Sequence, residues 1–169
     1  MPDLLLDRAE LTLTNCSIAN ALDVIGNRIC LLLLREAFLG TRRFDDFAER
    51  VGVSESAAAK RLAELTAANI FERRPYREEG QRERHEYRLT QKGAELRVVL
   101  SALRDWGDRW ESGEPGPPLH TVHRGCDAPV HAELRCTKGH LVPRSETALA
   151  LGPAPDTTYP SAGPAGGLR

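Results

Sequence analysis

Proline is nearly missing from the first 112 residues, which hold only Pro2 and Pro75 of the chain's 11. Nothing in the 169 residues approaches the roughly 18 consecutive apolar positions that a transmembrane helix needs. The opening Met1-Pro2-Asp3 has no positively charged n-region, so a secretory signal is not expected. Cysteine is scarce. The four, at 16, 30, 126 and 136, are too few and too scattered for a disulfide scaffold, which fits a reducing cytosol. An excess of one charge is also lacking. With 23 basic and 24 acidic residues the net charge is −1, which argues against histone-like or polyanion-coating behaviour. A local basic face can still hide inside that neutral total. What is present suffices for a core, because 41% of residues are hydrophobic and the 14 glycines bring the total near the globular average.

Composition changes near Gly113. The last 57 residues carry nine of the prolines and eight of the glycines, whereas the first 112 are rich in Ala, Leu, Arg and Glu. Four segments are expected: an arm at 1–14, a main domain at 15–112, a small extension at 113–150 and a tail at 151–169. The tail has too little apolar surface to offset the entropy of ordering and is expected to be disordered. The extension offers TVH and ELRC as candidate strands.

Within the main domain, Ile18, Leu22 and Ile25 recur at helical spacing behind Asn15 as N-cap, and Gly26 ends that run. Asn27 caps a second helix whose four consecutive leucines, Leu31 to Leu34, call for burial on most sides. Phe44, Phe47, Ala48 and Val51 mark a short third helix, broken at Gly52. Ser54 then caps a fourth helix with Ala58, Leu62 and Leu65 as its buried stripe, and Asn69 suits a left-handed C-cap. FERRPY and HEYRL read as two strands of a hairpin with a polar loop between them. Thr90 caps a last long helix, expected to run over 91–111 for about 30 Å, with the stripe Leu96, Val99, Leu100, Leu103, Trp106 and Trp110.

A short helix, a glycine-containing turn, a second helix and then a basic hairpin is the order of a winged helix-turn-helix. The expected fold is therefore mostly α with a small hairpin, an α+β winged helix. The fourth helix would enter a major groove, with Ser54, Ser56, Ala57, Lys60 and Arg61 clear of the buried stripe. Arg43, Arg74, Arg77, Arg82 and Arg84 would contact the backbone or a neighbouring minor groove, with Arg73 and Arg88 beside them in the wing. Against this, the stretch from Lys60 to Arg88 holds eight basic residues and six acids, as a solvated mixed-charge hairpin also would.

The motifs narrow the choice. CSIANALDVIGNR at 16–28, LLLLREAFLGTRRFDDF at 31–47, VSESAAAKRL at 53–62, FERRPY at 71–76 and EYRLTQKG at 86–93 stand in one order. Together they resemble the HxlR-type bacterial transcriptional regulators, within the MarR-like superfamily, over about 95 of the 169 residues. The resemblance implies a homodimer. Its N-terminal and long C-terminal helices would pair across a two-fold axis, with one winged helix on each half-site of a palindrome. Ile29 stands where the family usually has tryptophan, and Asn69 where it has glycine. Glu55 and the alanines at 57–59 make the reading helix unusual.

Cys16 lies at the positive end of the first helix, where backbone N–H groups favour a thiolate. The resemblance implies a sensor of oxidants or electrophiles in some members, so Cys16 is a candidate redox sensor, with a half-buried packing role as the alternative. Cys30, within the leucine run, is expected in the core. His123, Cys126, Cys136 and His140 form H-x2-C-x9-C-x3-H, the residue types of a small zinc ribbon. The resemblance extends to longer members with a C…C-x-x-C-G pattern, but Gly139 takes the place of the second knuckle cysteine. A decayed ribbon is the other reading, and no metal or cofactor is assigned.

An enzyme is not expected, since no cysteine has a motif-level histidine partner and no Gly-rich phosphate loop is present. The expected partners are double-stranded DNA, a second copy of the chain and a small-molecule or electrophile effector, with no membrane. A winged-helix protein-interaction module that never meets DNA is the competing reading.

Overall fold

The computed structural model describes residues 3–4, 15–77, 80 and 83–150. Arg82, the tail at 151–169 and all of the arm except Asp3 and Leu4 lie outside the described residues. The chain forms two compact units, one from residues 21–132 and one from 1–20 with 133–169.

The larger unit carries the helix-turn-helix. Helix α1 (Ser17–Ile25) begins in the smaller unit and stops at Gly26, whose N–H bonds Leu22 O at 2.7 Å. Asn27 caps α2 (Arg28–Phe38), its side chain accepting from the Ile29 N–H at 2.9 Å. Leu33 and Leu34 are fully buried, and Leu31 and Ile29 pack on the same core. Beside them the buried carboxylate of Glu36 is met by Arg35 at 2.7 Å and the Thr41 hydroxyl at 3.5 Å, so its charge is not left alone. Helix α3 (Phe44–Val51) ends on Gly52, which takes the left-handed conformation at φ 70°. Ser54 caps α4 (Glu55–Ala67) through the Ala57 N–H, and Ala58, Leu62 and Leu65 are the buried stripe. Asn69 adopts φ 58°, the left-handed turn that directs the chain into the wing.

Strands β2 (Phe71–Tyr76) and β3 (Arg84–Leu89) pair antiparallel, with Phe71 opposite Leu89 and Tyr76 opposite Arg84. A two-stranded ribbon is marginal alone. Here it is fixed at its base, where Phe47, Phe71 and Tyr87 meet edge-to-face with centroids 5.9 to 6.2 Å apart. The Tyr87 N–H also donates to Arg42 O at 2.8 Å, and Arg43 bridges Glu86, so the segment before α3 adds a short third rung.

The last helix departs from expectation in two ways. It is divided at Leu96 into α5 (Gln91–Glu95) and α6 (Arg97–Trp110), the Leu96 N–H bonding Gly93 O in a tighter turn. Its stripe also splits. Leu96 and Leu100 pack on the core, while Val99, Leu103, Trp106 and Trp110 stay exposed. The apolar stripe of α1 divides likewise, because Ile25 is buried but Ile18 and Leu22 are 72% and 58% exposed. At the start of α1, Cys16 O accepts the Asn20 N–H, and the Asn15 side chain bonds that of Asn20. Asn15 therefore does not act as the expected backbone cap.

TVH and ELRC are not strands. Each contributes one bridge residue, Val122 to Pro129 and Arg135 to Leu141. The tight turns at 123–127 and 136–140 divert the backbone hydrogen bonds that longer strands would need. In the larger unit the segment 119–132 is tied to α6, where Arg104 donates to Thr121 Oγ1 and the Ala132 N–H to Asp105 Oδ2. In the smaller unit β1 (Asp3–Leu4) pairs in parallel with β4 (Ala148–Leu149).

Gly93 sits where α5 crosses the chain entering the wing, and a Cβ there would stand 2.2 Å from Ile70 O. That oxygen belongs to backbone, which also receives the Thr90 N–H and cannot swing away. Gly93→Ala is expected to cost about 1–3 kcal/mol, read as a lower urea midpoint with unchanged slope.

Candidate nucleic-acid interface

The chemistry of the reading surface starts with the N-cap. Ser54 holds the first turn of α4 and shares a 3.1 Å hydrogen bond with the Ser56 hydroxyl, so two small polar groups are fixed at the helix's positive end. Ser54, Ser56 and Lys60 are exposed and Ala57 is half-buried. Ala59 and Ala63 complete the open face. Ala63 was not singled out from the sequence, although its spacing from Ser56 (i+7) marks the same side of a helix. Small side chains allow a backbone to approach closely.

Arg61 behaves differently. Its guanidinium lies 2.6 Å from Glu64 Oε2, and it borders a cleft of about 480 Å³ with Leu22, Asn27 and Cys30. It thus flanks the reading face, held by its own helix. The wing repeats this pairing, with Arg74 on Glu72 and Arg88 on Glu86, both at 2.6 Å. Arg73 and Arg84, with Lys60, have no carboxylate partner among the described residues. Arg73, Arg84 and Arg43 line a cleft of about 470 Å³ between the start of α3 and the wing, with Asp45, Tyr76 and His85. The Arg43 guanidinium sits over the Tyr76 ring at 5.2 Å, which orients it. Arg77 is exposed at the end of β2, and Arg82 lies outside the described residues.

The four cysteines are free thiols. Cys16 is half-buried at the first turn of α1. Cys30 is buried in the core, and desolvation pushes its thiol above the usual range, with Arg61 opposing. Cys126 is exposed and pairs with His123 Nδ1 at 3.1 Å in one tight turn of the larger unit. Cys136 and His140 belong to the smaller unit, in a turn where the Cys136 N–H meets His140 O. Among the described residues no group of three or more His, Cys, Asp or Glu is arranged to hold a metal ion. No single helix among them is long and apolar enough to cross a membrane.

Residues 24–115 match the HxlR-like helix-turn-helix family model, and the chain belongs to that family. It is 39% identical over 121 residues to the HTH-type transcriptional regulator Rv3095 of Mycobacterium tuberculosis, covering 72% of this chain and 75% of that protein. The solved structure of the transcription factor PA1607 superposes with a TM-score of 0.71 at 31% identity, over 81% of this chain and 95% of that one. The oxidised form of the redox regulator HypR superposes with a TM-score of 0.51 at 27% identity, over 56% of this chain and 96% of that one. The chain is thus a transcriptional regulator with a DNA-binding winged helix-turn-helix.

Raising a thiol's pKa lowers its thiolate fraction, and alkylation follows the thiolate. Iodoacetamide at pH 8 should therefore label Cys16, Cys126 and Cys136 before Cys30 in the folded protein, and all four alike in urea. Peptide mass spectrometry of a quenched time course reads the order.

Proposed function

We propose that the chain is a sequence-specific regulator that binds a palindromic operator as a homodimer. The observation that carries this reading is the exposed polar N-terminal face of α4, in a unit whose wing forms a cleft bordered by three arginines. Ser54, Ser56, Ala57 and Lys60 face the base edges, with Arg61 at their flank. Arg43, Arg73 and Arg84 take the phosphates, and Arg74 and Arg77 extend that contact along the wing. A gel shift on the DNA upstream of its own gene, at several salt concentrations, tests this. Arg84→Ala should weaken binding to all sequences and lower the salt slope by about one, whereas Lys60→Ala should also relax the sequence preference. Arg61→Ala should cost less, because that guanidinium must first leave Glu64. A flat salt response would favour the protein-interaction reading, which the carboxylate-paired arginines of the wing also suit.

The dimer rests on the outward stripe of α6. Val99, Leu103, Trp106 and Trp110 repeat at helical spacing and leave two tryptophans 56% and 67% exposed, an unusual load for a surface without a partner. Leu96 and Leu100 support that helix from the core side. A two-fold pairing would set two reading helices about 34 Å apart, one DNA turn. Leu103→Ala with Trp106→Ala should sediment as monomer or aggregate and lose the palindromic site. A double variant that remains a dimer and binds DNA would place the interface elsewhere.

Cys16 is the thiol through which an oxidant or electrophile would act, a role supported by the likeness to the redox regulator HypR. Alkylation of Cys16 that leaves operator affinity unchanged would reduce it to a packing residue. The regulator would work where the DNA is, in the cytoplasm.

A further inference from the structure

Away from the reading surface, α2, α6 and the segment 119–130 enclose a cavity of about 410 Å³. Phe38, Leu39, Leu100, Leu119 and Val130 give it apolar walls. Arg35, Arg97 and Arg104 line it together with His120, and no carboxylate does. Arg35 is engaged by Glu36 at 2.7 Å. The other two guanidiniums are not neutralised: Arg97 lies over the Phe38 ring at 5.0 Å, and Arg104 donates to Thr121 Oγ1. Neither has a carboxylate partner among the described residues.

The cavity is built from tied segments. Residues 119–132 are held on α6 at two points, Thr121 to Arg104 and the Ala132 N–H to Asp105 at 2.6 Å. Leu119, His120, Thr121 and Val130 also lie beyond the 24–115 span of the family match, so this wall is an addition to the shared winged helix. Its size falls within the roughly 300–1,000 Å³ of small-molecule sites, and apolar walls with a few convergent polar groups are their usual composition. Guanidinium forks match a carboxylate in a planar, two-bond geometry. The apolar walls favour an anion that carries an apolar body over inorganic phosphate, which has none.

We propose that this cavity binds a small monocarboxylic acid with an apolar body, a single aromatic ring or a short aliphatic chain, as the effector of the regulator. The effector role rests on the function proposed above, whereas the binding does not. Leu100 lines the cavity and packs on the core, and α2, which carries Arg35 and Phe38, packs on both α3 and α4. An occupant would therefore touch the element directly behind the helix-turn-helix.

Calorimetric titration of the full chain without DNA tests the binding. Sodium benzoate and sodium hexanoate are the probes, with benzamide, hexanamide and inorganic phosphate as controls. At least one acid should bind, and its amide and phosphate should bind about tenfold more weakly or less. The double variant Arg97→Gln with Arg104→Gln should lose about tenfold or more. Ser101→Phe, which fills the cavity and removes no charge, should lose as much while keeping the wild-type circular dichroism. Absence of heat with both acids at millimolar concentration overturns the proposal. So does equal binding of acid and amide, equal binding of phosphate, or wild-type affinity in both variants. Gel shifts with and without the bound acid then test coupling, and reciprocity requires a changed operator affinity. An unchanged affinity refutes the effector role. Failure of the ligand-free protein to bind DNA counts against the proposed function and leaves the cavity result standing.

Discussion

Edge-to-face packing of Phe47, Phe71 and Tyr87 joins α3 to the hairpin strands β2 and β3, which follow it by about twenty residues or more. Such contacts contribute roughly 0.5–1.5 kcal/mol each beyond the area they bury. Their larger effect is geometric. The wing has two strands and no second sheet, so its angle to the helices is set at this one junction. The Tyr87 N–H on Arg42 O and the Thr90 N–H on Ile70 O then lock the register at the same end. The cleft holding Arg43, Arg73 and Arg84 exists only because that angle is fixed.

Helix α6 serves three neighbours with three faces. Leu96, at its cap, and Leu100 meet the core, and Arg97, Ser101 and Arg104 meet the cavity under segment 119–130. Val99, Leu103, Trp106 and Trp110 form the third face and stay largely exposed, with Trp106 and Trp110 bordering His131 and Ala132. Because the faces are separated by about 100° steps around a single rigid rod, an occupant of the cavity and a neighbour on the outer stripe press on the same backbone.

Much of this was legible in the sequence because local signals and global packing agree there. Asn27, Ser54 and Thr90 cap helices where expected, and Gly52 and Asn69 take the left-handed turns. The buried stripe Ala58, Leu62 and Leu65 follows from spacing alone. The departures arise where periodicity carries no information about depth. The stripe on α6 reads as one face from 96 to 110, but only the structure shows which members the small core can reach. Asn15 looked like a cap because the residue type is right, yet the helix starts one residue later. TVH and ELRC have strand-forming residues, but the tight turn that follows each leaves room for a single bridge. Arg61 looked free because its partner Glu64 lies three positions along, a pairing that the fold's exposure pattern reveals and composition does not.

The pairing of cations with carboxylates on the reading surface bears on how the protein finds a site. Arg61, Arg74 and Arg88 each hold a glutamate within 2.6 Å, so contact with a random stretch of DNA must displace a partner before a counterion is released. On the proposed function, such a surface would cling weakly to bulk chromosome. Sites of the wrong sequence outnumber the right one by about a million or more in a genome, and weak non-specific residence leaves more protein in free exchange among them. The acids of the wing, which keep the net charge near zero, would then act in the kinetics of the proposed search by shortening each unproductive stop.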